Sequence, residues 1–469
     1  MEARSLVFLN TENNQKQPFT PIEEGHVRLY TCGPTVYDFA HIGNFRAYVF
    51  EDVLRRYLEF RGYRVTHVMN LTDVEDKIIR KSRELGVSIF DYTKPYEDAF
   101  FEDLDTLNIK RATHYPRATG HIPEMVHLIQ CLQDKGYTYE KDGSIYFRIS
   151  AFQDYGRLSG IRPDSVKVGA RIDADEYEKE DARDFVLWKG HREGEHAWES
   201  PFGLGRPGWH IECSAMAMKY LGNHFDIHCG GEDNIFPHHE NEIAQSECCT
   251  AQKFVNYWLH CRHLLVNSEK MSKSKGNFFT LRDLLDQGYH PMSIRFFMVS
   301  SHYRSPLNLT QESLQAARSS WERILDFRQR WREAAQKGVD APARSDLTAE
   351  MDRCVQRFTE HMDDDLDAPR AVSALFDFIR EANRVLDNEA VSSSQAQQVV
   401  DLLETIDTVL GVMREDESLI DEEIERLIEE RQQARRNKDF ARADAIRDQL
   451  AGQGIILEDT REGVRWKRR

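Results

Sequence analysis

A strand–helix–strand stretch near the N-terminus limits the folds that this chain can adopt. Residues 27–32 have the apolar composition of a short buried strand, and Gly33 ends it. Apolar residues then recur at helical spacing from His41 to about Phe60, and residues 64–71 form a second candidate strand. Because a βαβ unit implies a parallel sheet with a right-handed crossover, the sequence predicts an α/β protein built on a Rossmann-like, doubly wound parallel sheet.

A short segment, His41-Ile42-Gly43-Asn44, stands at the start of the predicted helix. His41 and Asn44 are about one helical turn apart. They lie beside free backbone N–H groups and the positive end of the helix, where a phosphate binds well. An N-cap role for Asn44 and a loop position for His41 explain the same residues without a ligand.

A second segment, Lys270-Met271-Ser272-Lys273-Ser274, lies far downstream and is too polar to pack. A loop of this kind can bring Lys270 and Lys273 to a developing pyrophosphate charge, although a solvated basic loop is the alternative. Together, in this order and at this separation, the two segments resemble the ATP-handling signatures of class I aminoacyl-tRNA synthetases, and this resemblance implies a split nucleotide site that activates a carboxylate with ATP. The candidate catalytic residues are His41, Asn44, Lys270 and Lys273.

A glycine pair, Gly230-Gly231, follows a candidate strand and precedes Asp233. Glycines at this place let a nucleotide approach the backbone, and Asp233 can accept hydrogen bonds from its hydroxyls. An ordinary turn is the alternative. The candidate nucleotide contacts are Gly43, Gly230, Asp233 and Lys273.

Four side chains of metal-binding type recur around these segments. His238 and Glu242 are four residues apart at the start of a predicted helix, so they share a face. Cys32 ends the early strand, and Cys213 lies between the two ATP segments. Two cysteines, a histidine and a glutamate are acceptable zinc ligands. Core thiols and a solvated helix start remain the alternative, and the rival ligands are His239, Glu240, His210 and Cys229.

The composition limits the cellular setting and the partners. The eight cysteines are scattered without a short Cys-x-x-Cys pair, so we expect free or metal-bound thiols in a cytoplasmic protein rather than a disulfide framework. No apolar run is long enough for a transmembrane helix, and no membrane partner is expected. The net charge of −17 argues against indiscriminate nucleic-acid binding but leaves room for a local basic surface, such as the arginine-rich residues 431–469.

The chain divides into six predicted segments. Residues 1–120 and 206–262 are the two halves of the Rossmann-like catalytic domain, and residues 121–205 are an insertion with a hairpin-like run at 144–148 and an acidic loop at 173–184. Residues 263–312 link the catalytic domain to the rest and carry the lysine loop. A helical bundle is predicted for 313–415, and a small C-terminal domain for 416–469.

Taken together, these segments resemble the cysteinyl-tRNA synthetases, a family of class I aminoacyl-tRNA synthetases, over nearly the whole chain. The stretches that carry the resemblance are 30–37, 41–44, 70–77, 116–119, 208–216, 236–246, 270–280, 303–308 and 438–447. Departures are mild. Asn44 stands where the class usually has histidine, Cys229 where relatives usually have glycine, Lys275 where leucine is common, and Glu75 where aspartate is frequent.

The resemblance implies roles for particular residues. The zinc ligands would be Cys32, Cys213, His238 and Glu242, with one Zn²⁺ per chain. Lys273 would be the ATP-binding lysine, and Mg²⁺ would accompany the ATP. The residues near the amino acid substrate would be Thr72, Trp209 and Cys32. The family also implies a monomer.

The resemblance likewise implies an activity. The chain would convert L-cysteine and ATP to cysteinyl-adenylate and pyrophosphate, transfer cysteine to the 3′ end of cysteine tRNA, and use zinc–thiolate binding to reject serine. A basic C-terminal domain would read the anticodon, with cations on phosphates and an aromatic ring on an unpaired base. The residues proposed for it are Arg435, Arg436, Arg442, Arg447, Arg465 and Trp466. Two alternatives stay open: a ligase that joins cysteine to an amino sugar, and a non-catalytic zinc protein that binds RNA.

Overall fold

The chain is described by a computed structural model over residues 5–161, 183–271, 276–414, 421–437, 439–452, 455–460 and 463–468. Lys273 and nearly all of the acidic loop predicted at 173–184 lie outside the described residues. The contacts divide the chain into two compact units, Met1–Met413 and Arg414–Arg469. Each unit is described by itself below.

A four-stranded parallel sheet forms the centre of the first unit. The elements that build it are β3 (His26–Thr31), α1 (Ile42–Phe60), β4 (Arg64–Met69), β9 (Phe225–Gly231) and β10 (Val255–Cys261). The strand order is β10-β9-β3-β4, and every neighbouring pair is parallel. A two-stranded antiparallel ribbon, β1 (Val7–Asn10) with β2 (Gln15–Pro18), precedes it. The predicted α/β class with a parallel sheet is therefore confirmed.

Apolar side chains cover both faces of this sheet. Leu29 and Leu259 point into the core on the α1 side, whereas their neighbours Tyr30 and Trp258 point into the core on the other side. Successive residues of a strand face opposite ways, so a strand buried on both sides needs apolar residues at consecutive positions. Each fully buried side chain of this size contributes about 1.5–3 kcal/mol by leaving water.

Helix α1 begins with a reciprocal cap. His41 is the N-cap residue, and its Nδ1 accepts a hydrogen bond from the Asn44 N–H at 3.2 Å. The Asn44 Oδ1 accepts in turn from the His41 N–H at 3.1 Å. The cap is thus His41 and not Asn44, which corrects the ligand-free interpretation of this segment. The pair satisfies two N–H groups that a helix start leaves unpaired.

The insertion forms a sheet of its own beside the parallel sheet. Three helices come before this antiparallel sheet in the chain: α2 (Asp76–Leu85), α3 (Ile89–Thr106) and, within the predicted insertion, α4 (Ile122–Asp134). Its strands are β5 (Thr138–Lys141), β6 (Ser144–Phe147), β7 (Phe185–Gly190) and β8 (Gly205–Pro207). They are antiparallel in the order β5-β6-β7-β8. Helices α5 (Trp209–Leu221) and α6 (Glu240–Thr250) then frame the return to the central sheet.

The rest of the first unit is mostly helical. Its short elements are β11 (Leu264–Val266), β12 (Glu269–Lys270), α7 (Leu281–Asp286), α8 (Pro291–Val299) and β13 (Leu307–Leu309). The long helices are α9 (Gln311–Gln336), α10 (Ser345–Asp363), α11 (Ala368–Asn388) and α12 (Ser393–Leu410). Their buried faces continue the apolar core on the α1 side of the sheet.

The second unit has two helices and a hairpin. They are α13 (Asp421–Arg436), α14 (Phe440–Gly452), β14 (Ile455–Thr460) and β15 (Gly463–Arg468), with the two strands antiparallel. A small core of Ile424, Ile446, Leu450 and Ile455 holds them together. In the described part of the chain, no helix is both long and apolar enough to cross a membrane.

A disulfide joins Cys131 at the end of α4 to Cys249 at the end of α6. The scattered cysteines led us to expect only free or metal-bound thiols, and this expectation is wrong for that pair. The two residues are 118 positions apart, and only the packing of α4 against α6 brings them together. The free cysteines of the described chain are Cys32, Cys213, Cys229, Cys248, Cys261 and Cys354.

Candidate active site and metal centre

The four side chains proposed as zinc ligands lie together at the carboxyl end of the central sheet. Cys32 directly follows β3, Cys213 lies in the first half of α5, and Glu242 lies in the first turn of α6. His238 belongs to an irregular helical segment, Ile235–His239, that leads into α6. Their ligand atoms all lie within 4.8 Å of one another.

Glu242 is the centre of the charge balance in this cluster. It is fully buried, and its Oε2 accepts a hydrogen bond from His228 Nε2 at 3.0 Å. Its Oε1 lies 3.1 Å from His238 Nε2 yet makes no hydrogen bond. Burial alone would raise the pKa of this carboxyl, but the imidazoles of His228 and His238 lower the pKa to about 2.

The cysteines of the cluster influence each other's ionisation. A hydrogen bond from Cys32, together with His238, lowers the pKa of the Cys213 thiol to about 6, although burial opposes this. The pKa of Cys32 is raised by the same bond and by burial. A thiolate, a second thiol, an imidazole and a carboxylate with an unpaired buried oxygen make a donor set that fits a zinc ion.

A second group of four ligand atoms overlaps the first. Cys32 and Glu242 also lie within 4.8 Å of His228 and His239. Both ring nitrogens of His239 are engaged, since Nε2 is 3.2 Å from Cys32 Sγ and Nδ1 is 2.7 Å from His260 Nε2. His239 is therefore the one rival ligand that the described structure keeps in reach of the cluster.

The other three rival ligands, Glu240, His210 and Cys229, belong to neither group of ligand atoms among the described residues. The carboxylate of Glu240 accepts hydrogen bonds from the backbone N–H groups of Gly156 and Ser159, both at 2.9 Å. His210 Nδ1 lies 2.9 Å from His238 Nδ1, so His210 orients the proposed ligand from behind. Cys229 is fully buried and belongs to neither group of ligand atoms among the described residues.

Of the three residues expected near the amino acid, Cys32 belongs to the cluster, and Trp209 and Thr72 lie near its members. The Trp209 ring stacks on the His238 ring at 4.4 Å between centroids and is 39% exposed, so it lies between His238 and the solvent. Thr72 is buried, and its hydroxyl donates to Glu212 Oε2 at 2.9 Å and accepts from Asn70 Nδ2 at 3.2 Å.

The two ATP segments meet over Gly43. A Cβ at Gly43 would come within 2.6 Å of Met271 Cε, so a larger residue at this position would force the Met271 side chain to shift. The Ile42 N–H also donates to the Phe279 carbonyl at 2.8 Å, which ties the flank of the lysine loop to the start of α1. Lys270 lies exposed in β12, and Lys273 is outside the described residues.

The glycine pair at the end of β9 also has a close neighbour. A Cβ at Gly230 would lie 2.8 Å from His239 Cε1, and one at Gly231 would lie 2.5 Å from Asp233 Oδ1. Asp233 occupies a short 3₁₀ turn that directly follows the strand. These glycines therefore let the histidine and the aspartate approach the backbone.

Sequence reasoning missed the roles of His228 and His260. His228 on β9 binds Glu242, and His260 on β10 links His239 to the Thr11 hydroxyl, whose Oγ1 is 2.8 Å from its Nδ1. Both histidines are buried on strands of the central sheet. A polar residue in a strand covered on both faces needs a partner, and that signal was available in the sequence.

Three models of known protein families match successive parts of the chain, and all three describe tRNA synthetase domains or domains that occur with them. Residues 18–319 match the class I (C) tRNA synthetase catalytic domain. Residues 357–414 match the DALR domain, and residues 418–466 match the anticodon-binding domain of cysteinyl-tRNA ligases.

Curated relatives match over their full length. A cysteine–tRNA ligase of Protochlamydia amoebophila is 49% identical over 99% of this chain and 98% of the relative. One of Brachyspira hyodysenteriae is 48% identical over 99% of this chain and 100% of the relative.

Among solved structures, a methionyl-tRNA synthetase of Mycobacterium tuberculosis in complex with methionyl-adenylate has a similar fold, with a TM-score of 0.60 at 17% identity. The alignment covers 82% of this chain and 89% of that one. From the catalytic-domain match over residues 18–319 and the relatives at 48–49% identity, we conclude that the chain belongs to the cysteine–tRNA ligase family of class I tRNA synthetases.

Proposed function

We propose that this chain activates L-cysteine with ATP and transfers it to the 3′ end of cysteine tRNA. The observation that carries the proposal is the cluster of Cys32, Cys213, His238 and Glu242, whose ligand atoms lie within 4.8 Å of one another. Cys32 directly follows strand β3, and His41 stands at the start of α1, the next helix of the same strand–helix unit. A thiol-binding centre and a phosphate-binding helix end thus belong to one unit.

The first step is attack of the cysteine carboxylate on the α-phosphate of ATP, with pyrophosphate as the leaving group. We assign the phosphates to the start of α1, where His41 and Asn44 stand and the helix end is positive. Lys270 and Lys273 supply cations for the pyrophosphate, and Mg²⁺ accompanies the ATP. Gly43, Gly230 and Asp233 would border the nucleotide.

The second step is attack of the terminal tRNA hydroxyl on the activated carbonyl, with release of AMP. Positioning of the substrates supplies most of the rate acceleration in both steps, because neither step passes through a covalent bond between the protein and a substrate. Neither the amino-sugar ligase nor the non-catalytic RNA-binding protein is favoured, because residues 418–466 match an anticodon-binding domain and residues 18–319 match a catalytic domain.

Rejection of serine is the reason to place zinc at the cluster. Contacts that sense pocket shape discriminate by about 1–3 kcal/mol, whereas faithful decoding needs about 10⁴–10⁵-fold, or roughly 5.5–7 kcal/mol. Trp209 and Thr72 cannot supply that difference by shape alone. The residues that would hold the ion are Cys32, Cys213, His238 and Glu242. When bound, zinc favours a thiolate over a serine hydroxyl, which stays protonated.

Cysteine-dependent ATP–pyrophosphate exchange tests this proposal. We expect fast exchange with cysteine, little with serine, loss of exchange when zinc is chelated, and recovery when zinc is returned. Exchange with cysteine that survives complete metal removal would contradict the zinc assignment. A protein with full zinc and no exchange with cysteine would contradict the proposed activity itself.

Replacing Lys273 with alanine tests the lysine loop. We expect adenylate formation to slow by at least about tenfold, or roughly 1.4 kcal/mol, because one cation near the pyrophosphate is lost. Single-turnover formation of cysteinyl-adenylate measures this, and the zinc content should stay at the wild-type level. Lys275→Ala is the matched control, since it removes the same charge two residues away; equal slowing in both variants would argue against a specific role for Lys273.

A further inference from the structure

Helix α2 carries four cations on one face, and none of them has an ion-pair partner among the described residues. Lys77, Arg80 and Arg83 are exposed and Lys81 is half-buried. Within the part of the chain that the structure describes, none of the four forms an ion pair. Exposed arginines elsewhere in the described chain do form ion pairs, as Arg353 does with Glu350 and Arg380 with Asp377.

The four cations share one side of the helix. The buried residues Ile78, Ile79 and Ser82 occupy the opposite side. At 100° per residue, the cations fall within an arc of roughly 160°, and α2 is about 15 Å long. Glu84 lies on the same side, whereas Asp76 is neutralised by Lys189 at 2.9 Å and by Arg206. The α2 cation face, defined as Lys77, Arg80, Lys81 and Arg83, is therefore a net positive surface.

This face is unusual for the chain that carries it. The whole protein has a net charge of −17, so a concentrated and unpaired positive surface stands out against it. Such a surface attracts a polyanion and repels other cationic surfaces. Like charges four residues apart on a helix, such as Lys77 and Lys81, lower its stability, so these cations do not serve to stabilise the helix.

The face begins at the candidate active site. Lys77 Nζ lies 4.8 Å from the centre of the Tyr37 ring, and Tyr37 precedes His41 by four residues. The loop that contains Thr72 leads directly into the helix. A strand of nucleic acid that runs along α2 would thus deliver its end to the place where the adenylate forms.

An exposed aromatic residue borders the other end of the face. Phe90, near the start of α3, is 52% exposed, and its ring makes an edge contact with His196 at 5.8 Å. Arg83 packs against the same loop, since a Cβ at Gly194 would lie 3.1 Å from its Nη2. Cations for phosphates and an aromatic ring for bases are the two parts of a single-strand binding surface.

We propose that the α2 cation face and Phe90 dock the unpaired 3′ acceptor strand of the tRNA. The phosphates lie along the cations, which are spaced by about 4.5–6 Å along the helix where three or four residues separate them. A base stacks on Phe90. The proposal rests on the proposed function, since it names the surface that brings the terminal hydroxyl to the adenylate.

A triple variant tests the cations. Arg80→Gln, Lys81→Gln and Arg83→Gln together should raise the KM for tRNA at least about tenfold, while cysteine-dependent ATP–pyrophosphate exchange stays within about twofold of the wild type. The slope of log affinity against log salt should fall by about 2, because each phosphate on a single strand contributes about 0.7. A fluorescent acceptor minihelix with an unpaired 3′ end should show the same loss of affinity.

The matched control makes the same change in charge on helices α10 and α11 instead of α2. Arg353→Gln, Arg370→Gln and Arg380→Gln remove three exposed arginines of α10 and α11 and should leave the KM and the salt slope unchanged. A triple α2 variant that behaves like this control overturns the docking proposal. So does one that loses exchange as severely as charging, since the face would then serve the fold or the adenylate.

Phe90→Ala separates stacking from charge. It should weaken binding of the acceptor minihelix at least about fivefold with no change in salt slope, because an aromatic stack carries no counterion term. Unchanged affinity would remove Phe90 from the surface. Absence of cysteine-dependent exchange in the unmodified protein would instead contradict the proposed function, so the two failures are distinguishable.

Discussion

Replacing Cys213 with serine will remove the zinc that we propose for the cluster and lower kcat/KM for cysteine in ATP–pyrophosphate exchange by at least about 10³-fold, or roughly 4 kcal/mol. Cys213 is 1% exposed, its sulfur lies within 4.8 Å of the ligand atoms of Cys32, His238 and Glu242, and no described cysteine besides Cys32 shares that group with it. Serine fits the same space, but its hydroxyl stays protonated and is a poor zinc ligand. The fold should survive while the metal is lost.

Two other cysteines provide the controls. Cys354 is equally buried in α10, and Cys229 lies on the neighbouring strand β9, yet neither belongs to a candidate metal group. Serine at either position should leave the zinc content near one per chain, measured by elemental analysis beside the exchange rate. Zinc retained in Cys213→Ser, or lost in Cys229→Ser, would show that the ligand set is drawn from the wrong thiols.

The sequence was sufficient for the βαβ unit because local signals agree there. Helix α1 ends at Phe60, as the apolar spacing predicted, and a glycine follows it within two residues. The cap was misread in detail, since the side chains of His41 and Asn44 bind each other's backbone N–H groups. Which of two polar residues three positions apart is the N-cap depends on where the backbone turns from the strand into the helix, and the spacing of residues does not show this.

The proximity of the four candidate ligands followed from topology and from a family resemblance. Cys32 and Glu242 come from different elements, and only the strand order β10-β9-β3-β4 brings their elements to one sheet edge. His228 in an apolar strand indicated that it needs a partner, but the sequence did not identify Glu242 as that partner, nor did it predict the Cys131–Cys249 disulfide. The disulfide depends on the packing of helix α4 against helix α6, and the His228–Glu242 contact depends on the position of α6 beside β9; residue types alone do not carry that information.

Replacing Asp52 with alanine will destabilise the first unit by about 3–5 kcal/mol, because it removes the only carboxylate that forms an ion pair with the buried Arg295 and Arg56 among the described residues. Asp52 lies on the buried side of α1 and accepts hydrogen bonds from Arg295 at 2.5 Å, Arg56 at 2.7 Å and the Lys110 N–H at 2.9 Å. Arg295 is fully buried and also donates to the Leu410 carbonyl at the end of α12. The loss of stability should therefore affect the packing of α1, α8 and the end of α12.

The pH dependence has a definite sign. Burial would raise the pKa of Asp52, but Arg295, Arg56 and the Lys110 N–H outweigh it and hold the pKa below the ordinary 3.8. A carboxyl with a lowered folded pKa stabilises the fold above its unfolded pKa and loses that contribution as the pH falls through the folded value. The wild type should therefore lose stability below about pH 4 in a way that Asp52→Ala does not.

Asp98→Ala is the control for this prediction, because Asp98 forms an exposed pair with Lys94 on α3 and should cost no more than about 0.5 kcal/mol. Urea unfolding and hydrogen exchange of the α1 and α8 amides measure the difference within the first unit. Asp52→Leu with Arg295→Met should recover part of the loss, since replacing a buried pair is cheaper than breaking it. If Asp52→Ala unfolds at the same urea concentration as Asp98→Ala, the buried pair does not hold α1 to α8, and the apolar core alone fixes the helices around the site.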